Sequence, residues 1–147
     1  MAGGGCGVKN TGYLHITCNG NVEPCVFTHF AVDNIKNKKL VDVLNSPFFT
    51  EIRNRKPYSK NLLRPCIIID NPKVLREVVN ECNAYPTHGN AHTILTKCAE
   101  HLDKYSKEYS ELSKPFWEKV YIRNEGMPKT IPKKLEEVKD LIEEIKK

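Results

Sequence analysis

Three of the six cysteines lie beside glycine or proline, and their thiols are the side chains in this sequence best suited to bind a metal. Cys6 lies between two glycines, and Cys25 and Cys66 each directly follow a proline. Glycine and proline favour turns, where the backbone can approach an ion or a cluster closely. Thiolates are the usual ligands of iron–sulfur clusters and of structural zinc. The sequence therefore indicates a site in which these three thiolates hold a metal ion or an iron–sulfur cluster.

The other three cysteines have simpler explanations than a ligand role. Cys82 and Cys98 lie on apolar faces at helical spacing, and we expect both in the core because cysteine is among the most buried residue types. Cys18 adjoins a predicted turn, and we expect a strand-end thiol, with a ligand role as the alternative. The sequence contains no C-x2-C pair and no C-x2-C-x2-C run. These absences disfavour a zinc ribbon, a zinc knuckle and a ferredoxin.

Other catalytic motifs are missing from the sequence. It has no Ser–His–Asp set, P-loop or G-x-G-x-x-G pattern, and His88, His92 and His101 lack the spacing of H-E-x-x-H. We expect these three histidines on the surface. His15 and Glu23 lie near the predicted site in sequence; we expect them to face outward from strands, with a supporting role at the site as the alternative.

Composition limits the class of protein. The 147 residues predict one compact domain, with 39% hydrophobic and 28% charged residues. No apolar run approaches the ~20 residues that span a bilayer, and the start lacks an apolar signal region. We therefore expect a cytoplasmic protein, in which clustered cysteines more often bind metal than form disulfides. The net charge of +5 is spread along the chain without interleaved aromatics, so neither nucleic acid nor membrane is a predicted partner.

The elements that must position the thiols are a small β-hairpin followed by several α-helices, which is an α+β fold. Alternating residues and an Asn-Gly turn predict the hairpin over residues 12–27. Helical periods and Ser-Pro or Asn-Pro starts predict the helices. Their expected ranges are a short helix over 39–44, a helix from Pro47 to before Pro57, a helix from Pro72 to Cys82, and one or two helices over 91–121 that break or kink at Pro115.

Apolar residues at steps of three and four give the expected core faces. They are Phe48, Phe49 and Ile52; Val74, Leu75, Val78, Val79 and Cys82; and Leu95, Cys98, Leu102, Tyr105, Tyr109, Leu112 and Phe116. The segment Cys66–Ile69 is short and apolar, and we expect it to be buried. We expect Asp70 and Asn71 to cap the helix that Pro72 begins.

A known family has the same order of motifs. Cys6 is followed after 13 residues by Gly20 and, after four more, by Cys25, which resembles the opening motif of SPASM and Twitch domains. Two short segments, Asn45-Ser46-Pro47-Phe48 and Arg64-Pro65-Cys66, resemble those that follow the opening motif in SPASM and Twitch domains. These domains are C-terminal auxiliary-cluster domains of radical S-adenosylmethionine (radical SAM) enzymes. The likeness extends roughly from Gly5 to Tyr121.

The resemblance implies a 4Fe–4S auxiliary cluster with Cys6, Cys25 and Cys66 at ligand positions. A full SPASM domain has a later dense cysteine run, which this sequence lacks after Cys66, so it is similar to the one-cluster Twitch type. The fourth iron is then open to a substrate atom or bound by another side chain, with His29 the first candidate and Cys82 the second. Three thiolates around a 2+ core leave a charge of −1, and backbone N–H groups near Gly5 and Gly20 are expected to hydrogen-bond the sulfurs.

The C-x3-C-x2-C motif of radical SAM chemistry does not occur in this sequence. The resemblance then implies the C-terminal piece of such an enzyme, inactive alone, whose partner is a radical SAM core domain or subunit that binds S-adenosylmethionine and an unknown substrate. The expected organisation is a flexible start over 1–5, a SPASM/Twitch-like domain over 6–123, and a linker with an amphipathic helix over 124–147. The alternatives are a zinc-binding or metal-free protein-interaction module, or a non-functional fragment.

Overall fold

A computed structural model describes residues 13–122, which form an α+β fold as predicted. Two small antiparallel sheets pair β1 (His15–Ile16) with β2 (Val22–Glu23), and β3 (Phe30–Ala31) with β4 (Tyr85–Pro86). The predicted ligand Cys6, the glycine-rich start, and the predicted linker and final helix over 124–147 lie outside these residues.

The described part of the chain contains four α-helices, one 3-10 helix and one π-helix. They are α1 (Leu40–Leu44), α2 (Pro47–Asn54), α3 (Pro72–Glu81), a 3-10 helix (Ala91–Leu95), α4 (Ala99–Phe116) and a π-helix (Trp117–Ile122). No helix within residues 13–122 combines the length and the apolar character needed to cross a membrane.

The predicted hairpin is confirmed, although its strands are shorter than expected. His15 pairs with Glu23 and Ile16 with Val22. The second strand ends at Glu23, because Pro24 has no N–H to continue the ladder. The turn needs Gly20, whose φ of +87° favours glycine, and whose missing Cβ would lie 2.6 Å from Asn34 Oδ1. The Gly20 N–H donates to Thr17 O at 2.8 Å, so Gly20 itself is not the donor to a cluster sulfur.

The core forms where α2 and α3 face the sheets, largely as the helical periods predict. The buried residues include Phe48, Phe49 and Ile52 of α2, Leu75, Val78 and Val79 of α3, and Val22, Phe30 and Val43. Proline at the first position starts both helices, as predicted. The expectation for Cys66–Ile69 is only partly confirmed, because Ile67 is buried whereas Ile69 is exposed.

The longest helix, α4, buries a different face from the predicted one. Its buried residues are Ser106 and Ser113, whereas Leu112 is 77% exposed and Tyr105 is also exposed. Cys98, at the start of α4, is exposed as well, so its predicted core position is wrong. The α-helix continues through Pro115 to Phe116 and passes directly into the π-helix.

The serine face of α4 packs against the loop that precedes α3. Asn61 Nδ2 donates to Ser113 Oγ at 3.0 Å, and Arg64 donates to Ser106 and Ser110. A guanidinium brought against a helix needs acceptors, and serine hydroxyls and backbone carbonyls supply them where leucine cannot. The need of Asn61 and Arg64 for hydrogen-bond acceptors therefore determines which face of α4 is buried.

Candidate metal centre

Cys25 lies in a buried turn immediately after β2. Its side chain is 6% exposed, and the Thr28 N–H donates to Cys25 O at 3.0 Å, which closes the turn. The Cys25 Sγ and Thr28 Oγ1 atoms are 3.1 Å apart, and Thr28 is fully buried. A thiolate has no proton to donate, so in that state the Thr28 hydroxyl is the donor. Thr28 is thus a supporting residue of the site that the sequence analysis missed.

The backbone N–H and the backbone carbonyl of Cys66 both form hydrogen bonds. Its N–H donates to Asp70 Oδ2 at 2.8 Å, and its carbonyl accepts from Asn71 Nδ2 at 3.0 Å and Asn71 N at 3.1 Å. The predicted side-chain cap of α3 is therefore wrong, since no such bond forms and both side chains hold the Cys66 loop instead. Burial raises the pKa of Asp70, while the bond from Cys66 N–H and the charge of Arg64 act in the opposite direction.

Arg64 ties the Cys66 loop to α4. Its Nη2 donates to Asp70 O at 2.6 Å and to Ser106 Oγ at 2.8 Å, and its Nη1 donates to Ser110 Oγ at 3.0 Å. Ser106 Oγ also donates to Asp70 O at 2.6 Å. These bonds explain why a loop without regular secondary structure has a defined shape beside Cys66.

Glu23, two residues before Cys25, is fully buried rather than outward-facing as expected. Its Oε2 lies 2.5 Å from His15 Nδ1, and its Oε1 accepts a hydrogen bond from the Thr87 hydroxyl. The prediction failed because β2 is covered by β3 and by the chain after β4, where Thr87 N donates to His29 O at 3.0 Å. His15 is half-buried and faces the same carboxylate. The pair is a polar link that joins β1, β2 and the residues after β4.

His29, the first candidate for a fourth ligand, belongs to the edge of this polar cluster. Its Nδ1 is 3.6 Å from Glu23 Oε1, and its ring centroid is 5.3 Å from that of His88. A carboxylate at one ring nitrogen is common behind metal-binding histidines, so a ligand role for His29 stays a prediction. His88 and His92 are exposed, as is His101, which agrees with their predicted surface positions.

Cys25 and Cys66 are the two predicted ligands that the structure describes, and the third, Cys6, lies outside residues 13–122. Within that range no three side chains of His, Cys, Asp or Glu are close enough together to hold a metal ion. The donor chemistry of the two turns nevertheless fits an iron–sulfur cluster, because each presents a thiol from a hydrogen-bonded backbone and Cys25 has a hydroxyl donor beside its sulfur.

The remaining cysteines have separate environments. Cys18 is exposed beside the hairpin turn. Cys82 ends α3 and is half-buried against the core, near its predicted position. Burial, followed by the nearby Glu51 carboxylate, raises the pKa of its thiol.

The structure places the Cys25 and Cys66 thiols in hydrogen-bonded turns, and thiolates are the usual ligands of iron–sulfur clusters. Residues 6–67 match the family model of SPASM, described as an iron–sulfur cluster-binding domain. This segment is therefore a SPASM-type iron–sulfur cluster-binding domain. The match begins at Cys6 and ends one residue after Cys66, so it encloses all three predicted ligands. Neither the curated proteins nor the solved structures contain a match to this chain.

Proposed function

We propose that residues 6–67 bind one 4Fe–4S auxiliary cluster through the thiolates of Cys6, Cys25 and Cys66. The observation that carries this proposal is the family match, which spans these three cysteines together with Cys18 and excludes Cys82 and Cys98. The turns around Cys25 and Cys66 support it, because both thiols are positioned by backbone hydrogen bonds. When bound, such a cluster supplies a one-electron carrier or an iron atom that can anchor a substrate.

The chain's own residues then have distinct roles around the ligands. The Thr28 hydroxyl donates to the Cys25 sulfur and stabilises its negative charge. Asp70 and Asn71 fix the peptide of Cys66, and Arg64 connects that loop to α4. The contacts of Glu23 with His15 and Thr87 hold β2 in place, and with it the turn that carries Cys25. Preformed ligands lose little conformational freedom when they bind a cluster.

In the cell, this domain is proposed to work as the auxiliary-cluster portion of a radical SAM enzyme in the cytoplasm. Its partner is a radical SAM core, as a domain or as a subunit, which binds S-adenosylmethionine. The auxiliary cluster serves either to relay an electron or to anchor the substrate. The resemblance to the one-cluster Twitch type favours a single cluster.

Substitution of each cysteine tests the ligand set. The purified chain and six single Cys→Ala variants are reconstituted anaerobically with iron and sulfide, and bound iron and acid-labile sulfide are measured per chain. We expect the Cys6→Ala, Cys25→Ala and Cys66→Ala variants to lose stable loading. The Cys18→Ala, Cys82→Ala and Cys98→Ala variants should load like the wild type and serve as matched controls.

Two results would contradict the ligand assignment. Equal loss of iron in all six variants would mean that the cysteines do not divide as proposed. A colourless wild-type protein that carries one zinc ion would favour the zinc-binding module instead. Circular dichroism of each variant separates a lost ligand from a lost fold.

A further inference from the structure

A groove of about 710 Å³ lies between the start of α3 and one side of α4. One wall is formed by residues 70–74, and the other by side chains of α4 from Glu100 to Ser110. Sites for small molecules typically enclose ~300–1,000 Å³, so the groove has the size of a metabolite site. Its lining also includes Arg64, which holds the Cys66 loop.

Lysines project from both walls of this groove. Lys73 belongs to α3, and Lys104 and Lys107 belong to α4. Within residues 13–122, neither Lys73 nor Lys107 has an ion-pair partner. Lys104 has only a long contact, 3.9 Å to Glu108, in which both side chains are exposed. Exposed pairs of this kind contribute little, so the three ammonium groups stay available to a ligand.

The acidic residues of the groove do not balance these cations. Asp103 accepts two hydrogen bonds from Arg76 Nη2, at 2.6 and 2.8 Å, and Arg76 is not part of the lining. Asp70 is buried, and its carboxylate accepts from the backbone of the Cys66 loop. Within the described range, Glu100 is therefore the one carboxylate of the lining that is exposed and has no ion-pair or hydrogen-bond partner. The groove keeps an excess of positive charge.

Ser110 adds a neutral donor beside the lysines. Its Oγ accepts from Arg64 Nη1 at 3.0 Å, and within the described part of the chain its own hydrogen has no acceptor. A hydroxyl of this kind can donate to a carboxylate or phosphate oxygen. Ser106, by contrast, already donates to Asp70 O and accepts from Arg64.

We propose that this groove binds a small organic molecule that carries two or more carboxylate or phosphate groups. One anionic group would contact Lys73 on the α3 wall, and another would contact Lys107 and Ser110 on the α4 wall. Two separated cationic walls favour a ligand with two anionic ends over a single small anion. The proposal does not depend on a bound cluster, because none of the proposed cluster ligands lines the groove.

The test compares two lysine pairs in the full 147-residue chain as purified. Citrate and pyrophosphate are titrated by isothermal calorimetry at low salt into the wild type, the Lys73→Gln/Lys107→Gln variant and the Lys36→Gln/Lys39→Gln variant. The second pair removes the same charge from exposed residues outside the groove. We expect saturable one-to-one binding of at least one probe, weakened about tenfold (~1.4 kcal/mol) by the groove pair and less than about twofold by the control pair.

The choice of probes separates the two possible anion chemistries. Tighter binding of citrate indicates a polycarboxylate ligand, and tighter binding of pyrophosphate indicates a phosphorylated one. Equal weakening in both lysine variants would overturn the proposal, because it would indicate general attraction to a basic surface. The absence of saturable binding for both probes would overturn it as well.

Cluster loading distinguishes this test from that of the proposed function. The groove variant should take up iron and sulfide like the wild type, since it alters no cysteine. The Cys25→Ala variant, provided that it stays folded, should bind the anion normally. A failure of anion binding with intact cluster loading would thus refute the groove alone.

Discussion

Replacement of Glu23 by alanine should destabilise the domain markedly, although Glu23 is not a proposed ligand. Its carboxylate is fully buried and is the shared partner of His15 and the Thr87 hydroxyl. Each hydrogen bond to a charged group contributes ~1.5–3 kcal/mol, and Glu23 has two such partners, of which His15 is half-buried. Relief from burying the carboxylate offsets part of this, so we expect a loss of about 3 kcal/mol.

Urea unfolding of the apo protein, followed by circular dichroism, measures this loss. With an m-value of ~1.5 kcal/mol/M, a loss of 3 kcal/mol lowers the midpoint by ~2 M. Glu23→Gln should cost only about 1 kcal/mol, because the amide oxygen can accept from Thr87 and the amide nitrogen can donate to His15. Glu108→Ala, an exposed control, should change stability by less than ~0.5 kcal/mol.

The comparison among these variants can refute the role of Glu23. If Glu23→Ala and Glu108→Ala have the same midpoint, then the buried link between β1, β2 and Thr87 does not stabilise the domain. If Glu23→Gln costs as much as Glu23→Ala, the hydrogen bonds described here are not the source of the stability.

Three other substitutions or measurements test neighbouring features. Thr28→Val should lower the reduction potential of the reconstituted cluster by up to about 60 mV (~1.4 kcal/mol for one electron), because hydrogen bonds to ligand sulfurs favour the reduced state. Protein-film voltammetry measures this potential, and an unchanged value would show that the Thr28 hydroxyl does not donate to Cys25. Arg55→Gln should lower the free energy of unfolding by ~1–2 kcal/mol at low salt and by less at 1 M salt, since Arg55 joins Glu51 of α2 to Glu77 and Glu81 of α3. An identical loss of unfolding free energy at both salt concentrations would argue against an electrostatic link. Alkylation by iodoacetamide, followed by mass spectrometry, should modify Cys18 and Cys98 faster than Cys82, whose thiol is half-buried and has a raised pKa; a faster Cys82 would contradict its placement.

Local patterns in the sequence were sufficient for the hairpin and for α2 and α3. The Asn-Gly turn needs positive φ at Gly20, and prolines at positions 47 and 72 suit the first turn of a helix. The apolar spacing of α2 and α3 then identifies the residues that enter the core. These signals are local, and the contacts that they create are between neighbouring elements.

The errors arose where distant segments meet. Glu23 is buried by β3 and by the residues after β4. These two strands have two residues each and join segments far apart in the sequence, so no local pattern predicts their pairing. In α4, apolar spacing pointed to Leu112, but Arg64 and Asn61 require acceptors, and the serines face inward instead. Asp70 precedes a helix, which is typical of a cap, yet it binds the Cys66 N–H.

The sequence singled out candidate ligands but not the residues that support them. The preceding prolines distinguish Cys25 and Cys66 from the other cysteines of the described range, and the family match encloses both. Thr28 and Asn71 are common polar residues whose roles depend on which backbone group lies opposite them. Only the folded chain shows that their side chains contact the two cysteines.

The most direct test of the cluster assignment is the iron and acid-labile sulfide content of the full-length wild-type chain after anaerobic reconstitution, measured together with its visible absorption. We expect about four iron and four sulfide per chain, with the broad visible absorption of a 4Fe–4S cluster. A colourless protein without sulfide, whether it carries one zinc ion or no metal, would contradict the assignment of an auxiliary cluster to Cys6, Cys25 and Cys66.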